Sequence, residues 1–165
     1  MKITGNASKL FFVKKVTVMG KIVVLYATRT GHSRKLALTV AEKLGVKAAA
    51  VKDAAPPENT EAGLLFIAGG IYGGTCHPDI IKYVSKLDPD KIGKVVLITS
   101  SASVQCRSQA EVRKILEGKG IEIAEELTSP GNFLFLRLGH PGRDDIAGVA
   151  DGAFKVAGSM GMITQ

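Results

Sequence analysis

Five apolar runs of strand length, most of them followed by a segment of helical periodicity, limit what this chain can fold into. "KIVVLYA" (21–27) is a continuous apolar run after its first lysine, the pattern of a strand buried on both faces. Leu36, Ala37, Val40, Ala41 and Leu44 then fall on one helical face, and Gly45 stands where a C-terminal cap is expected. "VKAAAV" (46–51) supplies a second strand, "KDAAPPENTEA" (52–62) a polar, proline-bearing connection, and "GLLFIAG" (63–69) a third strand.

The alternation continues. His77 to Leu87 forms a helix with His77 as its cap, Pro78 in its first turn, and Ile80, Ile81, Val84 and Leu87 inward. "KVVLITS" (94–100) is the fourth strand. Ser108 followed by Glu111 has capping-box spacing and opens a helix with Val112, Ile115 and Leu116 inward. "IEIAEEL" and "NFLFLRL" supply a split fifth strand. Asp144 and Asp145 start a last helix carrying Ile146, Val149, Ala150, Ala153, Phe154 and Ala157. Fully apolar strands alternating with helices imply a five-stranded parallel sheet covered on both faces, a doubly wound three-layer α/β sandwich.

At 165 residues the chain is long enough for one such domain, expected over 21–165. Residues 1–20 read as an N-terminal extension. They hold Lys2, Lys9, Lys14 and Lys15 and no acid, and either Met19 is the natural start and residues 1–18 are an upstream extension, or "LFFVKKVTV" adds an edge strand. The net charge of +7 therefore falls to +3 over the remaining residues, with no interleaving of arginine and aromatic residues of the kind a nucleic-acid surface carries. No apolar run reaches the ~18 residues of a membrane span. Cys76 and Cys106 lack metal-ligand spacing and read as reduced thiols, which implies a cytoplasmic setting.

In doubly wound sheets ligands bind outside the carboxyl ends of the strands, which directs attention to loops 28–33, 70–76 and 101–107. The first is Thr28-Arg29-Thr30-Gly31-His32-Ser33. An N-cap needs one hydroxyl; here three surround a glycine at a helix start, where unpaired N–H groups and the helix dipole favour an anion. A phosphate is the expected occupant. "GGIYGGT" (69–75) has Walker-type glycine spacing but lacks the lysine, and the first loop has one glycine where a dinucleotide fingerprint needs three.

With these loops in place, the sequence resembles the flavodoxin family. "T-x-T-G-x-S" after the first strand is similar to the family's phosphate loop, "GGIYGG" (69–74) to its isoalloxazine loop, and "NFLFLRLGHPGRDDIAGVADGAF" (132–154) to its closing strand and helix. The resemblance implies a flavodoxin-like fold and FMN held without covalent linkage. The phosphate would lie on Thr28, Arg29, Thr30, Gly31, His32 and Ser33. The ring would lie between Gly70, Ile71, Tyr72, Gly73 and Gly74 on one side and Ser100, Ser101, Ala102 and Ser103 on the other. Tyr72 offers a flat face for stacking. The implied activity is one-electron transfer between redox partner proteins, by a monomer or weak homo-oligomer.

Two departures qualify the resemblance. The third loop, "SSASVQCRS" (100–108), has no aromatic residue, and an open ring face also suits a flavin-dependent NAD(P)H or quinone-type reductase on the same fold. A fold relative without cofactor, acting through protein contacts, is the third reading. The second departure is charge: the family is typically acidic, whereas Arg29, His32, Arg34 and Lys35 surround this phosphate loop, and partners with acidic docking surfaces are expected.

Overall fold

The computed structural model describes residues 20–72, 74–101, 109–130 and 143–163. Strand β1 (Ile22–Ala27) leads into helix α1 (His32–Lys43), and the short strand β2 (Ala48–Ala50) follows. Strand β3 (Ala62–Tyr72) is the longest, and the two-residue β4 (Thr75–Cys76) precedes helix α2 (Pro78–Ser85). Strand β5 (Ile92–Ser101), helix α3 (Ala110–Gly118), strand β6 (Glu122–Pro130) and helix α4 (Arg143–Ser159) complete the order. The main sheet runs β2-β1-β3-β5-β6, and every neighbouring pair in it is parallel.

The expected five-stranded parallel sheet is thus present, with β4 added to it. Alternate residues of the apolar strands face opposite layers, as the two-residue strand period requires. Val24, Leu64, Phe66, Ala68, Val96 and Ile98 pack with Leu36, Val40, Ala150 and Ala153 of α1 and α4. Leu25, Leu65, Ile67, Val95 and Leu97 pack with Ile80, Val84, Val112 and Leu116 of α2 and α3. Within β3, Leu64 through Ala68 are at most 3% exposed, so the central strand is buried on both faces. The proline-bearing connection forms two 3-10 turns, Val51–Asp53 and Pro57–Asn59.

Two expectations change, and a third is described only in part. The third strand does not end at residue 69: Gly70, Ile71 and Tyr72 remain in β3 and pair antiparallel with β4, Ile71 opposite Cys76 and Tyr72 opposite Thr75. The stretch read as a loop is therefore largely a hairpin, because Ile71 and Tyr72 are strand formers and Thr75 Oγ1 donates to the Tyr72 carbonyl at 3.1 Å. Helix α3 has Gln109 at its N-cap, with no side-chain cap bond, and Ser108 lies outside the described residues. The fifth strand is described as Glu122–Pro130 alone; "NFLFLRL" lies outside the described residues, as do residues 1–19.

Helix α1 ends as its sequence indicates. Gly45 adopts φ 69°, the Gly45 N–H donates to the Glu42 carbonyl, and the Val46 N–H reaches back to Ala41 at 2.9 Å. These two bonds satisfy the terminal carbonyls and turn Val46 onto the core.

Candidate functional site

Strand register brings the three singled-out segments together. Ala27 pairs with Gly69, Gly69 with Thr99, and Gly70 with Ser100, so the carboxyl ends of β1, β3 and β5 lie side by side. Thr28 to Ser33, Gly70 to Tyr72, and Ser100 and Ser101 all sit along this edge; Gly74 follows in the β3–β4 turn. Gly73, Ala102 and Ser103 lie outside the described residues, as does Cys106.

The first segment is built as a helix-start cradle. Gly31 is the N-cap of α1 with φ 87° and ψ −11°, left-handed backbone that a side chain would strain. Its N–H donates to Thr28 Oγ1 at 2.8 Å, so Thr28 shapes the turn. Thr30 Oγ1 bonds His32 Nδ1 at 3.0 Å. No side chain caps the helix, and no acidic residue stands in its first turn. The first intrahelical bond of the turn is Lys35 N–H to the Gly31 carbonyl, which leaves the N–H groups before it without helical acceptors.

Ser33 stands apart from the other hydroxyls. It is 1% exposed, and its Oγ has no hydrogen-bond partner among the described residues. A buried hydroxyl without a partner costs about 1–3 kcal/mol. Located in the first turn of a helix that lacks a cap, it matches the donor that an oxyanion requires there. The FMN phosphate fits this cradle on the chemistry of its donors.

Tyr72 is engaged differently from the stacking expectation. Its hydroxyl accepts the Arg29 backbone N–H at 2.8 Å, and the Arg29 guanidinium lies 4.8 Å from its ring centroid. His77 meets the ring edge-on, with centroids 5.9 Å apart. Gly70 makes room: a Cβ there would lie 2.6 Å from the Tyr72 hydroxyl. Tyr72 thus ties the second segment to the first, a contact across 43 residues of sequence. His77 is the cap the sequence indicates, its Nδ1 accepting the Asp79 N–H at 3.2 Å.

Beneath the ends of β3 and β5, a small cavity is lined by Gly69, Cys76, Ile80, Thr99, Gln109 and Val112 among others. Gln109 is 4% exposed and its Oε1 has no partner among the described residues, a feature sequence reading missed because a polar residue after an expected cap at Ser108 carries no local sign of burial. Burial pushes the Cys76 thiol up to about 11, against a lowering hydrogen bond from the His77 backbone and a small raising effect of Glu111. Cys76 is therefore a neutral thiol at pH 7, which disfavours a nucleophilic role.

This raised value has a measurable consequence. A group that binds its proton more tightly when folded adds stability that is fully present below its ordinary value of 9.0 and is lost as pH rises through about 11. Urea unfolding is expected to show about 2 kcal/mol of alkaline destabilisation by pH 11 that Cys76→Ser removes. Equal pH slopes in the two proteins would contradict the assignment.

Fold and site together define a doubly wound α/β protein with an uncapped helix start at the carboxyl edge of its sheet. Residues 23–131 match the flavodoxin domain, and the chain belongs to that family. It is 28% identical over 138 residues to an uncharacterized protein of Methanocaldococcus jannaschii, covering 76% of this chain and 91% of that one. Among solved structures it is similar to flavodoxin 1 from Bacillus cereus, with a TM-score of 0.64 and 14% identity, over 84% of this chain and 97% of that one. It is also similar to rubredoxin oxygen:oxidoreductase of Desulfovibrio gigas, with a TM-score of 0.62 and 18% identity. That match covers 90% of this chain, which spans only 38% of the larger protein. The fold is thus shared with a flavodoxin and with part of an oxidoreductase.

Proposed function

We propose that this chain binds FMN without covalent linkage and works as a one-electron carrier between redox proteins. The observation that carries the reading is Ser33: a buried, unpartnered hydroxyl in the uncapped first turn of α1, in a member of the flavodoxin family. Thr28, Thr30, Gly31, His32 and Ser33 would hold the phosphate, with the backbone N–H of Arg29 available once Tyr72 gives it up. Gly70 to Tyr72 and the end of β5 from Ser100 would flank the ring. Bound FMN would supply the electron transfer itself, while the protein tunes it through burial, hydrogen bonds and nearby charge. Among the described residues no helix is long and apolar enough to cross a membrane.

The test is spectroscopic. Purified protein is expected to be yellow, or to take up added FMN, and to release FMN on denaturation. Protein that stays colourless and does not quench added FMN overturns the reading and leaves a fold relative acting through protein contacts. Fast NAD(P)H turnover with a quinone and no partner protein would replace the carrier by a reductase on the same fold.

A further inference from the structure

Two of the cations beside the candidate phosphate cradle, Arg34 and Lys35, have no structural task within the described fold. Arg34 and Lys35 are exposed, and no carboxylate lies within 4 Å of either among the described residues. Some cations elsewhere are paired, Lys43 with Asp151 at 2.6 Å, Lys94 with Glu122 at 2.6 Å, and Arg113 with Glu126 through two bonds. Others, such as Lys47, Lys52, Lys82 and Lys86, are exposed without a salt bridge among the described residues; what sets Arg34 and Lys35 apart is their place beside the candidate site. Both unpaired residues stand in the first turns of α1, where the helix dipole disfavours positive charge. Leu38 follows three and four residues later on the same face. At 41% it is the exposed large hydrophobic among the described residues, and it lies on the layer opposite α2 and α3.

Unpaired cations around an exposed leucine form a small apolar centre with a charged rim, the pattern of a protein-docking surface. Because it flanks the phosphate cradle, a molecule seated on it lies at the edge of the candidate redox site. We infer that Arg34, Lys35 and Leu38 form the docking face for an acidic redox protein whose carboxylates surround an apolar contact. This deepens the carrier reading by naming the face and the partner's chemistry. Complementary charge would steer the encounter, and the effect weakens as salt shortens its range to about 8–10 Å.

The test measures binding directly, with flavin-free and FMN-loaded protein alike, so that it does not depend on turnover. The isotopically labelled protein is titrated with an acidic rubredoxin and, separately, with a basic c-type cytochrome, and amide shifts are mapped. Rubredoxin is expected to perturb α1 between residues 32 and 38 and to bind at least tenfold more weakly at 200 mM than at 20 mM salt. Arg34→Glu with Lys35→Glu should lose at least tenfold in rubredoxin affinity, and Leu38→Ser about threefold with the salt dependence kept. Lys82→Glu with Lys86→Glu makes the same change in net charge on exposed positions of and just after α2, and should change binding less than twofold.

Three outcomes overturn the inference: equal losses in the two charge-reversed pairs, shifts that map away from α1, or salt-independent binding. Unchanged rubredoxin binding combined with a raised KM for NADPH in the α1 variant also overturns it, because the rim would then serve a nucleotide phosphate. Failure of the protein to take up FMN, with rubredoxin binding intact, would remove the carrier reading and leave the docking face standing.

Discussion

Ser33→Ala is expected to move two measurements in opposite directions. Removing a buried hydroxyl that has no partner should stabilise the flavin-free protein by about 1 kcal/mol, because the desolvation cost of that group disappears with it. The same change should weaken FMN binding about 10–100-fold, because a charge-assisted hydrogen bond to phosphate contributes roughly 1.5–3 kcal/mol. Riboflavin, which has no phosphate, should bind the two proteins equally. Thermal unfolding without flavin and fluorescence titration with both flavins give the readings. A purely structural serine would show loss of stability with no difference between FMN and riboflavin, and that result would remove the phosphate assignment. Ser33→Thr, which retains a hydroxyl, should recover part of the FMN affinity.

Phe66→Ala is expected to cost about 3–5 kcal/mol, the range for deleting a buried aromatic ring. Phe66 is fully buried at the middle of β3, in register with Val24 on one side and Val96 on the other, and packs in the layer shared with α1 and α4. A domain of this size holds about 5–15 kcal/mol in all, so the loss is a large part of it. The melting temperature should fall by roughly 10–15 °C. Phe66→Leu, which keeps most of the volume, should cost under about 1.5 kcal/mol. Denaturant unfolding checks both; a loss below about 1 kcal/mol for the alanine variant would mean that β3 is not the centre of the core.

The fold was legible because its strands are apolar on both faces, a pattern that half-buried antiparallel strands do not produce. "KIVVLYA" and "KVVLITS" carry that signal without help from distant residues. The hydroxyl-rich turn at the start of α1 was legible as a candidate site too, since three hydroxyls around Gly31 exceed what a cap needs. Structure then separated their roles, which spacing alone does not: Thr28 shapes the turn, Thr30 pairs with His32, and Ser33 is buried and unpartnered. Less was visible around Tyr72. Glycines on both sides read as a loop, whereas pairing with Thr75 and Cys76 makes a hairpin. The orientation of the ring depends on Arg29, 43 residues away, and local sequence holds no record of such a contact. Gln109 was missed for a similar reason, because its burial follows from how α3 is set against β3 and β5.

Gly70 sets where that phenol rests. The space its missing side chain leaves is the space in which the Tyr72 hydroxyl sits. The phenol therefore acts as a cross-tie between the ends of β1 and β3. A ligand that claims the Arg29 N–H must first displace it, and the net worth of that bond, about 1 kcal/mol, is subtracted from the ligand's affinity. If FMN binds as proposed, whatever lifts Tyr72 would also free the Arg29 N–H, and the two proposed halves of the site would then be coupled.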